Sequence, residues 1–308
     1  MRGMFKKAVI SPIQSAVALC IALTSTAFAQ AQTAEHEVTI TAQPPLRVSG
    51  FDGVSPLDLP INATGILRNT LQDIGAQRIS DALHLDASVS DSYNLPAYWD
   101  KLSVRGFTLD NRYNYQREGL PTSAETITPM ENKERIELLK GTSGIQAGTS
   151  APGGLVNYMV KRAPADAEKN MRDVTFSYGA GDNRLAAADL GGRFGEVAEF
   201  GYRFNVAHED LDPYIRNTQG HRDLVALAMD WRVDTRTRLE WEFEHSHNEQ
   251  IGVNFYSLLG AGTNALPPPV DGTRNITRQP VSQPGVFDGL TSTLRLRQQL
   301  DNGWIWNT

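Results

Sequence analysis

The fold is decided by the stretch Glu134-Arg-Ile-Glu-Leu-Leu-Lys-Gly141, with Thr142–Gly154 and the run Leu155-Val-Asn-Tyr-Met-Val-Lys-Arg162 that follow it. In both outer runs every second residue falls on the same face, and the two faces differ, as in β-strands. The glycines between the runs favour turn conformations. No lysine follows a glycine pair there, so the spacing of a phosphate-binding loop is missing. The stretch predicts two strands joined by an ordered glycine-rich loop.

The order of motifs in this stretch resembles the plug domain of TonB-dependent outer-membrane receptors, which carries Glu-Arg-Ile-Glu, Leu-Lys-Gly, Pro-Gly-Gly and Lys-Arg in turn. Leu102–Phe107 resembles the family's Arg-Gly-Phe strand, and Arg117–Pro121 resembles its Asp-Gly-Leu-Pro turn. Ala147-Gly148 departs from the pattern, because the family usually has Tyr-Gly there. The resemblance covers about residues 37–308. It implies an α+β plug domain followed by part of an antiparallel transmembrane β-barrel of the outer-membrane type.

The amino terminus has the composition of an export signal. Basic residues precede a largely apolar run, Ala8–Leu23, and Ala27-Phe28-Ala29 is a cleavage signal, so residues 1–29 are predicted to be a signal peptide. Its removal takes away three basic residues and changes the net charge from −6 to −9. It also removes Cys20, the only cysteine of the chain. The sequence has no basic patch of the kind that would indicate nucleic-acid binding.

Residues 30–61 are predicted to hold a TonB box and a proline-containing linker. A short run there alternates apolar and hydroxyl residues, which suits a segment that adds as an edge strand to a partner sheet. The alternative is a plain disordered leader. By resemblance, the residues that would bind TonB are Glu37, Val38, Thr39, Ile40, Thr41 and Ala42.

Residues 62–166 are mixed in character and are predicted to form the plug domain. A short amphipathic helix is expected from Ile79 to Leu85. A few short strands beside one helix fit an α+β domain. The predicted strands lie near Leu102–Phe107, Arg112–Glu118, Arg135–Leu139 and Leu155–Lys161.

Two groups of plug residues receive roles from the resemblance. Aromatic faces and arginine suit an anionic, aromatic or hydroxamate-bearing ferric chelate. The alternative is a structural role, in which the aromatic residues among the ligand-binding candidates pack the plug against the barrel wall. Arg105 and Arg135 are expected to pair with barrel carboxylates and so to gate the plug. The ligand-binding candidates are Tyr93, Tyr98, Trp99, Arg112, Tyr113, Tyr115 and Gln146.

Residues 167–308 alternate over longer segments and are predicted to form part of a β-barrel. Apolar residues occupy one face of each segment and polar residues the other, over about the 9–11 residues of a transmembrane strand. Short links on one side and long links on the other are typical of an outer-membrane barrel. The predicted strands lie near 172–180, 185–194, 197–208, 221–233, 237–248 and 289–300.

Two patterns in this part invite a catalytic or metal assignment. His245 and His247 share a face, but they continue the apolar face of their strand and are expected to mark its interfacial end. Glu240, Glu242 and Glu244 share the opposite face without an accompanying nucleophile, and are expected to line a polar lumen. We therefore predict no catalytic residues, no metal site and no cofactor. Iron would be the ligand, carried as a siderophore complex.

The resemblance thus implies a receptor that takes up ferric siderophores across the outer membrane of a Gram-negative bacterium, and no enzyme. Its partners would be TonB with the ExbB/ExbD motor complex, a ferric siderophore and outer-membrane lipid. An alternative of the same architecture is a receptor for haem, cobalamin or an oligosaccharide. Another class of alternative is a secreted soluble β-rich binding or adhesion protein. About six strands leave open lipid-facing edges, so we expect a truncated chain that does not transport alone.

Overall fold

The computed structural model describes residues 61–93, 95–141, 151–253, 271–275 and 282–308. All of them belong to one compact unit that begins at Pro45. The predicted signal peptide, the segment 37–42 and Gln146 lie outside the described residues. In the part of the chain that is described, no helix is long and apolar enough to cross a membrane.

The first part of the described chain, here called the plug region (residues 61–166), is a small mixed domain. Its main sheet has the strand order β1-β7-β8-β5-β6, and a second sheet has the order β2-β3-β4. The elements are β1 (Asn62–Leu67), α1 (Arg68–Asp73), α2 (Ile79–Leu83), β2 (Val89–Tyr93), β3 (Lys101–Val104), β4 (Phe107–Thr108), β5 (Tyr115–Arg117), β6 (Leu120–Pro121), β7 (Lys133–Lys140) and β8 (Gly154–Val160).

The two strands predicted from the deciding stretch are confirmed. Strands β7 and β8 pair antiparallel, with Lys140 opposite Gly154. Their alternate residues Ile136, Leu138 and Val156 are fully buried in the core of the plug region. Helix α2 confirms the predicted helix, although it ends at Leu83. Strand β1 was not predicted, because Asn62, Ala63 and Gly65 give it little strand character and its place depends on pairing with β7.

Two tight turns correct the predicted strands of the plug region. Arg105 and Gly106 both have positive φ, 52° and 82°, between the paired residues Val104 and Phe107. Glu118 and Gly119 also have positive φ, 53° and 81°, between the paired residues Arg117 and Leu120. Two consecutive residues with positive φ form the type I′ turn that suits the twist of a hairpin. The expected single strand Leu102–Phe107 is therefore a hairpin, and the expected strand Arg112–Glu118 shrinks to β5.

The second part of the described chain is an antiparallel meander of seven strands, here called the long sheet. Each strand pairs with the next one along the chain. The six predicted strands are confirmed, with β11 starting three residues later and β14 four residues earlier than expected. The strands are β9 (Met171–Tyr178), β10 (Arg184–Phe194), β11 (Phe200–Leu211), β12 (Gly220–Arg232), β13 (Thr237–Gln250), β14 (Gly285–Gln299) and β15 (Ile305–Asn307).

The long sheet has an apolar outer face and a polar inner face that covers the plug region. The register places Phe204, Leu227 and Phe243 side by side on the outer face. Large apolar side chains exposed there are Val174, Phe176, Tyr178, Leu190, Phe194, Val225, Trp231, Trp241, Leu290 and Leu294. Charged or polar side chains buried on the inner face are Asp189, Arg193, Arg203, Asn205, Glu209, Arg222, Asp230, Glu242 and Glu244.

The two ends of the long sheet also differ. At one end the strands are joined by the short links 195–199, 233–236 and 300–304. At the other, here called the long-link end, lie the long links 212–219 and 251–284 together with the short first link 179–183. Aromatic rings stack across the outer face at the short-link end, with Phe194 and Phe200 5.4 Å apart and Phe200 and Trp231 5.8 Å apart. Such a row is typical of a strand end at a membrane interface.

Candidate functional site: the contact between plug region and sheet

Three carboxylates of β13 face the plug region. Glu240, Glu242 and Glu244 are two positions apart, so the period of a strand puts them on one face. Glu242 and Glu244 are buried. Ionised carboxylates in such a place need cations and hydrogen-bond donors close by, because burial of an unpaired charge is very costly.

Arginines from the plug region supply the first of these partners. Arg117, at the end of β5, places Nε 3.0 Å from Glu242 Oε1 and Nη1 2.7 Å from Glu244 Oε2. Arg162, just after β8, places Nη2 2.8 Å from the other oxygen of Glu242. The two guanidiniums therefore join β5 and the end of β8 to the same wall strand, β13.

A buried lysine reaches the same wall. The side chain of Lys133 is fully buried, and its Nζ lies 2.6 Å from Asn132 Oδ1 and 3.2 Å from Glu244 Oε2. Burial lowers the pKa of Lys133 to about 8, and the Glu244 carboxylate limits that fall. Lys133 therefore still carries its charge at neutral pH. Asn132 adds a hydrogen bond of 2.5 Å from its Nδ2 to Glu244.

One further pair completes what is here called the wall cluster. Arg295 on β14 places Nη1 3.2 Å from Glu240 Oε2 and 3.3 Å from Glu118 Oε2, so it joins the sheet back to the β5–β6 turn. The cluster holds four cations and four carboxylates, and its formal charges cancel. Its members are Arg117, Glu118, Lys133, Arg162, Glu240, Glu242, Glu244 and Arg295.

Two smaller polar contacts hold other parts of the plug region to the sheet. Arg222 of β12 lies between Glu131 of the plug region, at 2.6 Å, and Glu209 of β11, at 2.5 Å. Lys161 places Nζ 2.7 Å from Asp189 of β10. The contact is thus made largely of charged groups, spread over the five strands β10 to β14 of the sheet.

An open cleft of about 320 Å³ lies on the plug region, lined by Trp99, Lys101, Asp110, Asn111, Arg112 and Glu125. The Tyr98 and Trp99 rings stack at 3.9 Å, and Trp99 meets the edge of Phe287 on β14 at 5.9 Å. Nearby, the backbone N–H of Ala97 donates to Gln250 Oε1 over 3.0 Å. Gln250 ends β13, so these contacts put the cleft at the long-link end of the sheet.

Comparison with known proteins assigns both parts of the chain. Residues 55–155 match the family model described as the TonB-dependent receptor plug domain. The ferrichrome receptor FcuA of Yersinia enterocolitica is 28% identical over 260 residues, which are 81% of this chain and 32% of FcuA. Residues 55–155 are therefore similar to a TonB-dependent receptor plug domain, and the chain as a whole is similar to part of FcuA.

Solved structures agree on the fold of the chain. The ferric preacinetobactin receptor BauA of Acinetobacter baumannii superposes with a TM-score of 0.67 at 22% identity, over 81% of this chain and 37% of BauA. The outer-membrane ferripyoverdine receptor of Pseudomonas aeruginosa gives 0.65 at 19%, over 82% and 34%. The chain spans about a third of the length of these proteins. The fold is an α+β plug followed by part of an antiparallel barrel sheet.

The gating candidates Arg105 and Arg135 lie apart from the wall cluster. Arg135 Nε lies 2.7 Å from Glu137 Oε1, two positions along the same plug strand. Arg105 is the first residue of the β3–β4 turn. Among the described residues, the plug cations that meet sheet carboxylates are instead Arg117, Lys133, Lys161 and Arg162. The gating role of Arg105 and Arg135 stays a prediction.

The ligand candidates divide into surface and core. Arg112 and Tyr113 are exposed, and the guanidinium of Arg112 lies 5.4 Å from the ring centre of Tyr113. Tyr115 is only 1% exposed and belongs to the core of the plug. Burial raises the pKa of its hydroxyl above the ordinary range. A ligand on the plug surface therefore does not reach Tyr115 in this structure. Tyr93 ends β2, and Gln146 lies outside the described residues.

The residues of the wall cluster carried a weak signal in the sequence. Glu240, Glu242 and Glu244 were predicted to line a polar lumen, and the structure confirms that they face the plug. Arg117 and Arg162 stand inside the two plug motifs, at Arg117-Glu118-Gly119 and Lys161-Arg162. The motifs, however, do not predict which carboxylates Arg117 and Arg162 pair with.

Proposed function

We propose that this chain forms part of an outer-membrane receptor that takes up ferric siderophores with energy transmitted by TonB, and that it catalyses no reaction. The observation that carries the proposal is the wall cluster. A plug domain held against the inner face of a barrel sheet by ion pairs is closed at rest and released by force. The relatives are receptors, named for ferrichrome, preacinetobactin and pyoverdine.

The outer face of the long sheet supports a membrane-spanning, multi-pass barrel. Trp231 and His221 are ten positions apart on β12. Met229, Leu227 and Val225 form the apolar part of the outer face between them, and Asp223 lies beside His221 at the polar end. Ten residues span about 33 Å along a strand. At a tilt of about 45° the strand crosses about 23 Å, close to the apolar height of an outer-membrane barrel. Outer-membrane lipid would cover this face.

The cleft at the long-link end supports the binding of a ferric chelate. It combines the indole of Trp99 and the exposed guanidinium of Arg112 with the carboxylates of Asp110 and Glu125. An aromatic face and an arginine attract an anionic or aromatic chelate, and the two carboxylates would select against excess negative charge. Iron is the cargo of this site, and it arrives already bound by the siderophore.

TonB, driven by the ExbB/ExbD motor complex, would act on the segment Glu37–Ala42. A pull on that segment is transmitted along the chain to the plug strands, where Arg117, Lys133 and Arg162 meet the wall. Ion pairs are suited to this task because both partners regain favourable hydration when water enters the gap. The plug can then shift without exposing a large apolar surface.

Deletion of residues 37–42 in the full-length receptor tests the proposal. We expect binding of the ferric siderophore to cells to be unchanged and uptake of radioactive iron to be lost, because the ligand site stays intact while the link to TonB is gone. Deletion of residues 45–50 shortens the same leader by six residues and should preserve uptake. Uptake that survives the first deletion contradicts the proposal.

A further inference from the structure

Three histidines form a row across the outer face at the long-link end of the sheet. His208 lies on β11, His221 on β12 and His247 on β13. The rings of His208 and His221 are 6.5 Å apart, and those of His221 and His247 are 5.5 Å apart. This row is on the opposite side of the sheet from the wall cluster, so neither plug docking nor the cleft explains it.

A carboxylate stands beside two of these imidazoles. Cross-strand pairing puts Glu249 opposite His221. One donor atom each of His221, His247 and Glu249 lies within 4.8 Å of the other two. The three side chains are half-buried. Two imidazoles and one carboxylate are a donor set that suits Zn²⁺, Cu²⁺ or Ni²⁺ better than Ca²⁺ or Mg²⁺.

A fourth residue orients one of the imidazoles. Nδ1 of His247 lies 2.7 Å from Asp288 Oδ1 on β14, so it donates its proton to that carboxylate. Nε2 is then the free nitrogen, and it faces Glu249 Oε2 at 4.0 Å. A carboxylate bound to the far nitrogen of a metal-binding histidine fixes the tautomer and ring orientation that a metal requires.

We propose that His221, His247 and Glu249 form a binding site for one divalent transition-metal ion, with Asp288 as the residue that positions His247. Tetrahedral coordination at roughly 2.1 Å places donor atoms about 3.4 Å apart. The donor atoms of His221, His247 and Glu249, now within 4.8 Å of one another, can reach this separation by side-chain rotation alone. Half-buried side chains on neighbouring strands have room for such a rotation. The bound ion fastens β12 to β13 where the long links begin, and solvent or an anionic group takes the fourth position.

Zinc binding to the full-length receptor in detergent micelles tests this site. After treatment with EDTA and its removal, isothermal titration with Zn²⁺ alone is expected to report one ion per chain, and excess Ca²⁺ should not displace it. His221→Gln and His247→Gln should each weaken binding at least about tenfold, and Asp288→Asn by about 10- to 100-fold.

His245→Gln is the matched control, because His245 lies on the same face of β13, two positions from His247, and is outside the donor set. It should bind zinc like the wild type. Circular dichroism and heat-modifiable mobility check the folding of each variant, and Glu249→Gln replaces any histidine variant that does not fold. The proposal is overturned if no stoichiometric zinc binds, if the substitutions at His221 and Glu249 leave the affinity unchanged, or if His245→Gln loses as much as His221→Gln.

Discussion

Asp86 illustrates how single polar residues hold the plug together. Its carboxylate accepts hydrogen bonds from the Thr64 hydroxyl at 2.6 Å and the Ser88 hydroxyl at 2.7 Å, and Lys140 Nζ lies 2.5 Å away. These partners come from β1, the turn before β2 and β7. Burial alone would raise the pKa of Asp86, but the hydrogen bonds from Lys140, Thr64 and Ser88 outweigh it and keep that pKa well below the usual range.

Replacement of this carboxylate should make the plug less stable in a pH-dependent way. The folded-state pKa of Asp86 is depressed, so its stabilisation is present above the ordinary pKa of about 4 and is lost as the pH falls through the folded-state value. Asp86→Asn should lower the free energy of unfolding by about 1–3 kcal/mol at pH 7. The deficit should shrink below about pH 4.

Thermal unfolding of the receptor between pH 7 and 3 measures this deficit. Asp166→Asn serves as the control, because Asp166 is exposed in the link after β8 and should change little. A deficit for Asp86→Asn that stays constant over the whole pH range would mean that the carboxylate charge is not what stabilises the plug.

At the scale of elements, β13 is built for two environments at once. Its even-numbered residues from Glu240 to Gln250 face the plug, and its odd-numbered residues from Leu239 to Phe243 face outward. A shift of one residue in register would exchange the two faces, so the register is strongly specified. The strand therefore presents its carboxylates only where plug cations can meet them.

Glu244→Gln tests what this strand contributes to docking. The substitution leaves Lys133 buried without its carboxylate, which should lower the free energy that stabilises the docked plug by about 3–5 kcal/mol. Lys133→Met should lower this free energy by less, because Glu244 keeps its ion pair with Arg117 at 2.7 Å. The double variant should recover much of the loss, since a buried pair replaced as a whole is often neutral.

The measurement is the urea concentration at which the plug of the folded receptor becomes open to limited proteolysis. Ser246→Ala, on the same face of β13, is the matched control. Equal effects of Glu244→Gln and Ser246→Ala, or no recovery in the double variant, would show that the ion pairs do not hold the plug.

At the scale of the whole molecule, the cleft of the plug lies beside the sheet. Trp99 lines the cleft and packs on Phe287 of β14, so a chelate seated in the cleft would touch a plug residue that itself contacts the sheet. Under the proposed function, this contact would couple ligand occupancy to the position of the plug.

Substitutions in the cleft should separate ligand contact from plug folding. Trp99→Ala and Arg112→Gln should each weaken binding of the cognate ferric siderophore about tenfold, which is about 1.4 kcal/mol. Tyr115→Phe changes only a hydroxyl in the plug core and should leave the affinity unchanged. A panel of ferrichrome, ferripyoverdine and ferric preacinetobactin, followed by tryptophan fluorescence, supplies the test. Equal affinities of all variants would place the chelate elsewhere.

The sequence by itself determined the strands of the long sheet, their two faces and the β7–β8 hairpin. Alternation and glycine turns are local properties, since they depend only on neighbouring residues and on φ at single positions. Local pattern was insufficient for β1 and for the hairpin inside Leu102–Phe107, where the partner strand decides the conformation.

Only the tertiary structure decided which charges meet. Arg117 and Glu242 are 125 positions apart, and no spacing rule connects them. The same holds for His221 and Glu249, which become neighbours through the register of β12 and β13. Distances between side chains on different strands depend on register and on how the plug packs against the sheet. These are set by the free energy of the whole fold, so the residue types were readable from the sequence while their partners were not.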